Sequence, residues 1–314
     1  MTVIELASKR FDADFSRKAT VYDTTQFAAL NAHKAEETVY LGIYRDDDAT
    51  RPLLGLITGR RGDTLYAPFS APFAMMRFNA IPTLLQVFQA IEVLQTYLKR
   101  TNRKLQWTLP PPIYGGTLNA MVIGALEALG AKKLYNNFNQ HFPAEKASVF
   151  EESLESRTRN KLRTAQRRGL YTCEISNKDF TQAYSVILAN RLEHGYPLRM
   201  SAEDVEKTIK IIPAKFFVTV DPVEGDIAAC QAFKSANDIW QIIYWGDRSE
   251  FSRLRPMNLL AYDVMRILCA DPDIKGVDIG PSSENGTPNY GLADFKASIG
   301  CEMTLKPTYL LQPS

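Results

Sequence analysis

A lysine near the end of the chain stands in an otherwise apolar, glycine-framed segment, NYGLADFKASIG. This residue, Lys296, directly follows Phe295. A fixed ammonium group in a dry cleft is suited to stabilising negative charge that develops during a reaction, and typically lowers the barrier by a few kcal/mol. The alternative is a structural lysine whose stem covers apolar surface while its ammonium reaches water. The residue types alone leave both interpretations open.

A basic segment in the middle of the chain, RNKLRTAQRRG, has helical spacing. We expect one helix over residues 149–168, with acidic residues early and basic residues late, as the helix dipole favours. Arg159, Arg163 and Arg167 lie in one row at i, i+4 and i+8, where like charges repel by roughly 0.2–0.5 kcal/mol per pair. Guanidinium groups in a row suit phosphates, carboxylates or an RNA backbone. We therefore predict that this row binds an anionic part of a substrate, with a purely structural surface helix as the alternative.

Three further arginines lie in the loop DRSEFSRLRPMN, ahead of a predicted helix. Arg248, Arg253 and Arg255 are candidates for holding the phosphates of a cofactor or co-substrate with their side chains. Solvated loop charges are the alternative.

Two polar and aromatic stretches offer residues for a substrate pocket. LYAPFSAPF supplies Tyr66 and Phe69 as walls of a substrate cleft, with ordinary core packing as the alternative. ANRLEHGYPLRMSAEDV supplies His194 as a general base, with a capping role at a helix end as the alternative. Asp278 and Glu284 are weaker candidates for accepting a proton.

The spacing of cysteines, histidines and apolar residues argues against several kinds of site. The four cysteines are widely separated, and the three histidines do not approach them at metal-ligand spacing. We therefore expect reduced thiols and no bound metal. No apolar run approaches the ~18 residues that cross a bilayer, and the first residues are punctuated by charge. The sequence predicts a cytoplasmic protein without a membrane span.

Length and composition indicate a globular chain large enough for two domains. The chain has 314 residues, of which 45% are hydrophobic. This length fits two domains of about 150 residues each. The formal net charge is +2, which does not demand a polyanionic partner, and we predict no DNA binding.

The elements that position these residues are predicted twice. The first series has strands VYLGIY, LLGLITGRR and TLYAPF, the helix PTLLQVFQAIEVLQTYLKR and the strand KLQWTL. The second has strands FFVTV, IAACQAF and IWQIIYW, the helix PMNLLAYDVMRIL and the strand KGVDIG. Each series then continues with a short helix closed by glycine and a further strand. The offsets between matching elements stay nearly constant, which indicates a duplicated α/β unit. We predict a first repeat over residues 1–148, a bridging basic helix over 149–169 and a second repeat over 170–314.

This element order resembles the fold of the GNAT superfamily of N-acetyltransferases, and its duplication resembles the Fem-type (FemAB-like) aminoacyl and acyl transferases. The resemblance is clearest over roughly residues 155–311, through RNKLRTAQRRG and NYGLADFKASIG. It implies an α/β fold of two tandem GNAT-like repeats with mixed sheets, with the active site on the second. It also implies that Lys296 stabilises the oxyanion formed when an amine attacks an ester or thioester, with support from Phe295.

The activity implied by the resemblance is transfer of an activated acyl group to an amine of a small-molecule or peptide acceptor. The donor is either acyl-CoA or aminoacyl-tRNA. GNAT enzymes that use CoA carry a Q/R-x-x-G-x-G/A loop; here Arg253 fits the first position, but Pro256 and Asn258 replace the glycines. We therefore expect weak CoA binding in the standard pose and no permanently bound cofactor, with acyl-CoA still open as a co-substrate. The alternative function is a non-catalytic GNAT-like module that binds an anionic ligand or RNA.

Overall fold

Both halves of the chain contain three consecutive antiparallel strands, followed later by a helix and by a strand that is parallel to the third. The structure is a computed structural model that describes residues 1–313. The first half contains β1 (Thr2–Leu6), α1 (Ser8–Asp14), α2 (Thr25–Leu30), β2 (Glu37–Tyr44), β3 (Pro52–Arg61), β4 (Thr64–Ala67), β5 (Arg77–Phe78), α3 (Leu84–Thr101), β6 (Lys104–Thr108), α4 (Gly116–Ala128) and β7 (Lys132–Pro143). The second contains α5 (Phe150–Ser153), α6 (Ser156–Arg167), β8 (Tyr171–Ile175), α7 (Phe180–Glu193), α8 (Ala202–Ile209), β9 (Ala214–Asp221), β10 (Gly225–Ala236), β11 (Ile239–Asp247), α9 (Pro256–Leu268), β12 (Gly276–Pro281), β13 (Ser283–Glu284), β14 (Thr287–Pro288), α10 (Tyr290–Ser298) and β15 (Glu302–Leu311). Every strand and helix of the two predicted series is present.

The first compact unit comprises Met1–Phe138, Glu284–Thr287 and the C-terminal segment from Thr304. Its strands lie in the order β1-β2-β3-β4-β6-β15. The β4–β6 pair is parallel and β15 pairs antiparallel with β6, so the last strand of the chain completes the sheet of this unit. Helices α3 and α4 pack on the sheet through a core that includes Leu94, Trp107 and Leu126.

The second compact unit comprises Asn139–Ser283 and Pro288–Met303. Its strands lie in the order β7-β12-β11-β10-β9-β8, with the end of β7 antiparallel to β12. Successive residues of β10 face opposite sides of the sheet. Ala228 and Cys230 belong to a core shared with α6 and α9, whereas Ala229 belongs to a core shared with α7. The sheet is therefore covered by helices on both faces.

The basic segment differs from the single helix predicted over 149–168. The structure has two helices there, because Leu154 adopts an extended conformation (φ −69°, ψ 140°) and buries its side chain. Helix α6 begins after this break and carries most of the basic residues. The proposed repeat boundaries at residues 148 and 170 stay a prediction.

Candidate active site

The parallel strands β11 and β12 pair over only three residues. The pairs are Ile239–Gly276, Trp240–Val277 and Gln241–Asp278. Beyond them each strand continues without pairing to the other, and a bulge interrupts the register of β11 with β10. We call the part after the last pair, residues 242–247 of β11 and 279–281 of β12, the β11–β12 opening. Ligands of open α/β sheets bind in crevices at the carboxyl ends of parallel strands, which makes this opening the candidate site.

Gly280 forms the β12 side of the opening. Its φ of +73° lies in the left-handed region, which glycine adopts without the steric penalty that other residues incur. Apart from its two neighbours in the chain, a Cβ atom placed on it would meet no residue within 4 Å. The backbone of Gly280 therefore borders open space.

Lys296 extends from α10 to this strand end. Its side chain is only 2% exposed, so the alternative in which the ammonium reaches water is wrong. The ammonium Nζ donates to three carbonyl oxygens, those of Ile279, Gly280 and Pro281, at 3.1, 2.9 and 3.1 Å. The start of α10 is fixed by Asn289, whose side chain accepts from the Leu292 N–H at 3.0 Å. A catalytic role for Lys296 stays a prediction.

Asp278 holds the same strand end from the other side of Gly280. Its carboxylate is fully buried and accepts from Gln241 Nε2 at 2.7 Å, Asn139 Nδ2 at 2.8 Å and the Gly280 N–H at 2.9 Å. These bonds compensate the loss of water that would otherwise make the buried carboxylate costly. Asp278 thus serves a structural network here, and Glu284, the other candidate proton acceptor, is exposed.

Phe295 of α10 is half-buried, and its ring packs against an aromatic ring of β11. Its ring centroid lies 5.8 Å from that of Trp245 in β11, in an edge-on arrangement. Such pairs typically contribute about 0.5–1.5 kcal/mol beyond burial. Phe295 therefore connects α10 to the far end of β11, and its predicted support of Lys296 stays a prediction.

The arginine row of α6 is engaged by nearby groups of the same chain. Arg159 donates to the carbonyl oxygens of Glu151, Glu152 and Leu154 at 3.0, 2.7 and 2.8 Å and so caps the end of α5. Arg163 pairs with the Glu151 carboxylate at 3.1 Å. Arg167 is exposed and donates to the Arg163 carbonyl at 3.3 Å. These contacts offset the repulsion within the row, and its role in binding a substrate stays a prediction.

The arginines of the loop before α9 are on the surface. Arg248 pairs with Glu250 at 3.1 Å. Arg253 and Arg255 are exposed, and Arg255 has a left-handed φ of +66° directly before Pro256. Together with Arg157 of α6, Arg255 lowers the pKa of Lys161, after the larger effect of burial. Several cations therefore surround the start of α9.

Tyr66 and Phe69 lie in the first unit. Tyr66 is half-buried beneath the Arg61 guanidinium, 5.1 Å from its ring centroid. Phe69 lines a small pocket together with Tyr22 and Asp23. Burial raises the pKa of the Asp23 carboxyl to about 6.

His194 lies at the end of α7. It is exposed, its Nδ1 is 2.9 Å from the Asn190 carbonyl oxygen, and its ring stacks on Tyr196 with centroids 5.7 Å apart. The same end of α7 contacts β11, because Asn190 Nδ2 donates to the Asp247 carbonyl at 2.7 Å. Burial raises the pKa of the Asp247 carboxyl above its ordinary value.

Arg191 is the residue of this region that the sequence interpretation missed. Its guanidinium lies 5.8 Å from the ring centroid of Tyr196 and 5.2 Å from that of Tyr244 in β11. Burial lowers its pKa, and its Nε is buried without a hydrogen-bond partner. Within residues 1–313 the groups that act on its charge are Tyr244 and Tyr196, with no carboxylate among them. The signal was an arginine five residues before an aromatic residue in ANRLEHGY, but its proximity to Tyr244 depends on the tertiary fold.

The structure brings some of the predicted residues together and leaves others apart. Lys296 and Phe295 lie at the β11–β12 opening, and His194 lies at the end of α7 that contacts the last residues of β11. Within the described chain no group of three or more histidine, cysteine, aspartate or glutamate side chains is arranged to hold a metal ion. Over residues 1–313 no helix has both the length and the apolar character needed to cross a membrane.

Comparison with known proteins gives a match in fold. No protein-family model and no curated protein sequence matches the chain. The structure of FemX is 14% identical, covers 99% of this chain and 97% of FemX, and gives a TM-score of 0.66. L-PGS from Bacillus licheniformis is 10% identical, over 97% of this chain and 92% of that one, with a TM-score of 0.57. A tandem GNAT protein from the clavulanic acid biosynthesis pathway is 11% identical, over 99% and 98% of the two chains, with a TM-score of 0.53.

The chain has the GNAT-type α/β fold. The predicted fold class, a mixed α/β structure of the GNAT type, is confirmed. At identities of 14% and below, this likeness defines the fold, and the chemistry has to be argued from the residues of this chain.

Proposed function

We propose that the chain is an acyl- or aminoacyltransferase that moves an activated acyl group to an amine, with the β11–β12 opening as the reaction site. One observation carries the proposal: the ammonium of Lys296 is buried beside the Gly280 backbone, which borders open space. Burying a charge is unfavourable by several kcal/mol unless it is compensated, and buried charges in clefts are concentrated at functional sites.

The reaction places negative charge near this cation. When an amine attacks an ester or thioester carbonyl, the carbon–nitrogen bond forms as the carbonyl oxygen becomes an oxyanion, and the alcohol or thiol then leaves. A fixed positive charge in a low-dielectric site lowers the energy of that oxyanion without having to reorganise. His194 remains a candidate for taking the proton from the attacking amine.

The acceptor is held through an anionic group. Arg191 supports this part of the proposal, because its half-buried guanidinium lies near the rings of Tyr196 and Tyr244 and has no carboxylate partner among the described residues. Such a group can pair with a carboxylate or phosphate of the substrate. Tyr244 belongs to β11 and packs with α7, on the face of the sheet opposite Trp245 and Phe295. An acceptor held at Arg191 therefore reaches the opening from the α7 face.

The start of α9 offers few backbone groups that could bind the phosphates of a donor. Pro256 has no N–H, and the Asn258 N–H is already bonded to the Arg255 carbonyl at 3.1 Å. A pyrophosphate in the standard CoA pose would therefore find few backbone donors. We propose aminoacyl-tRNA, or acyl-CoA held by arginine side chains, as the donor.

A non-catalytic anion-binding module is the second candidate, and the same unpaired guanidinium of Arg191 favours it. The two functions are separated by single-turnover assays with charged tRNA and with acetyl-CoA, using amines that carry a carboxylate or a phosphate. A transferase forms the amide product with the anionic amines and forms less with their uncharged analogues. Binding of the anionic amines without product from either donor would favour the binding module.

A further inference from the structure

The end of β12 has many hydrogen-bond acceptors and few donors. Pro281 has no N–H, Gly280 turns the chain with a left-handed φ, and strand pairing with β11 has already ended at Asp278. On the side that faces β11, the carbonyl groups of residues 279–281 therefore have no ladder partner, and the pairing with β7 is irregular between Asp278 and Pro281. A buried carbonyl without a partner is unfavourable by about 1–3 kcal/mol.

Lys296 supplies the missing donors. An ammonium has three N–H groups, and the three carbonyl oxygens of residues 279–281 accept one hydrogen bond each. In this arrangement no N–H of Lys296 is left for a substrate oxygen. Direct donation to an oxyanion would first break a bond that the strand end requires.

The backbone of Gly280 is thereby held at both of its polar groups. Its N–H donates to Asp278 at 2.9 Å and its carbonyl accepts from Lys296 at 2.9 Å. Asp278 is itself fixed by Asn139 and Gln241. Gly280, which has open space beside its Cα, is therefore fixed by two buried charges of opposite sign.

We propose that Lys296 is a positioning residue, which holds the Gly280 backbone at the β11–β12 opening together with Asp278 and does not itself donate a hydrogen bond to the substrate. The benefit of this positioning to catalysis rests on the proposed transfer reaction, whereas the hydrogen bonds themselves do not depend on it. The ammonium has two separate effects: its charge acts on the reaction site at a distance, and its N–H groups bind the protein backbone.

The first test observes the contacts without any substrate, by NMR of the isotope-labelled protein. Ammonium protons that are buried and fully hydrogen-bonded exchange slowly, so the wild-type protein should give a lysine ammonium signal that Lys296→Met removes. Lys275→Met is the matched control, because Lys275 precedes the same strand but is exposed and pairs with Asp238 at the surface. Absence of a slowly exchanging ammonium signal in the wild type would overturn the proposal, and this measurement requires no variant to fold.

The second test is a double-mutant cycle between the two charges. Lys296→Met and Asp278→Asn should each lower the midpoint of thermal unfolding by roughly 5–10 °C and shift the Gly280 amide signal, whereas Lys275→Met should do neither. The double variant should lose less than the sum of the single losses, because both groups hold the same residue. Strictly additive losses, or a Gly280 signal unchanged in Lys296→Met, would contradict the proposal that Lys296 and Asp278 jointly hold Gly280.

Transfer activity then distinguishes positioning from direct contact. If Lys296 positions Gly280, Asp278→Asn should lower turnover by at least tenfold with Lys296 intact, and combining the two changes should add little. Independent, multiplying losses would mean that Lys296 contacts the reacting atoms itself. Failure of the proposed function is a different result, namely no transfer by the wild type while the NMR signals persist.

Discussion

At the scale of single residues, two arginines in similar surroundings differ in what balances their charge. Arg191 and Arg77 each lie over an aromatic ring and each has a buried Nε without a partner. Arg77 is paired with Asp12 at 2.5 Å, whereas Arg191 has no carboxylate partner among the described residues. A charge kept half-buried without compensation lowers stability, and such sites tend to be retained for binding.

We predict that Arg191→Met abolishes binding of anionic acceptors and leaves the free energy of unfolding unchanged or slightly higher. The reason is that the change removes a desolvated cation without leaving an unpaired partner. Calorimetry with carboxylate-bearing amines measures the binding, and urea unfolding measures stability. The control, Arg77→Met, should instead lower the free energy of unfolding by about 1–3 kcal/mol because it breaks an existing pair. A similar loss of stability in both variants would contradict a binding role for Arg191.

Asp23 gives a prediction about pH. Its side chain is buried and its pKa is raised from 3.8 to about 6, so the folded state binds the proton more tightly than the unfolded state does. This contribution to stability is complete below pH 4 and is lost as the pH rises through about 6, a difference of about 3 kcal/mol. Urea unfolding of the wild type and of Asp23→Asn at pH 4 and pH 7 measures it. If the difference between the two proteins is the same at both pH values, Asp23 does not titrate in this range.

At the scale of elements, the sequence predicted most strands and helices because hydrophobic spacing and glycine or proline boundaries determine them locally. Pro256 does begin α9, and Gly300 does follow α10 with a left-handed φ of +87°. The break between α5 and α6 was missed because it depends on burial of Leu154 and on capping by Arg159, which are tertiary contacts. The proximity of Arg191 to Tyr244 was missed for the same reason, whereas the unusual setting of Lys296 was visible in its apolar flanks.

We predict that acetyl-CoA binds weakly, because of the residues at the start of α9. Pro256 and the bonded Asn258 N–H leave few backbone donors for a pyrophosphate, so we expect a dissociation constant of about 1 mM or weaker, on the scale of non-specific phosphate contacts. Isothermal calorimetry at two salt concentrations checks this. A micromolar dissociation constant that does not change with salt would show that the donors are sufficient.

If an RNA donor binds at helix α6, we predict that its three arginines affect the salt dependence of binding differently. Arg163→Met and Arg167→Met should each flatten the salt dependence of tRNA binding, because their side chains are exposed. Arg159→Met should leave that dependence unchanged and lower the free energy of unfolding by about 1–3 kcal/mol, because it caps α5. Filter binding over a salt series measures the slopes, and equal slopes in all three variants would exclude this helix as the tRNA contact.

At the scale of the whole molecule, neither compact unit is a continuous stretch of chain. The first unit contains the C-terminal strand β15, with Tyr309 fully buried and paired through its hydroxyl to Glu127 at 2.6 Å. Sequence periodicity predicted the strand itself but could not say that it pairs with β6, since pairing partners far apart in the chain leave no local signal.

We therefore predict that a chain ending at Met303 loses the fold of the first unit. Its β6 would become an unpaired edge and the core would lose Tyr309, so the cooperative unfolding transition of that unit should disappear. Hydrogen exchange of the truncated and full-length proteins measures this for each unit. Protection of β6 equal to that in the full-length protein would mean that the strand is dispensable.

The central claim is that a buried ammonium at the β11–β12 opening supports acyl transfer to an amine. The most direct measurement is the single-turnover rate of transfer for the wild type, Lys296→Met and Lys275→Met, taken well below the melting temperature of the least stable protein. We predict that Lys296→Met lowers the rate by roughly 10²–10³ with acceptor affinity nearly unchanged, while Lys275→Met retains the wild-type rate. Transfer by Lys296→Met at the wild-type rate would contradict the claim and leave this lysine with a role in folding alone.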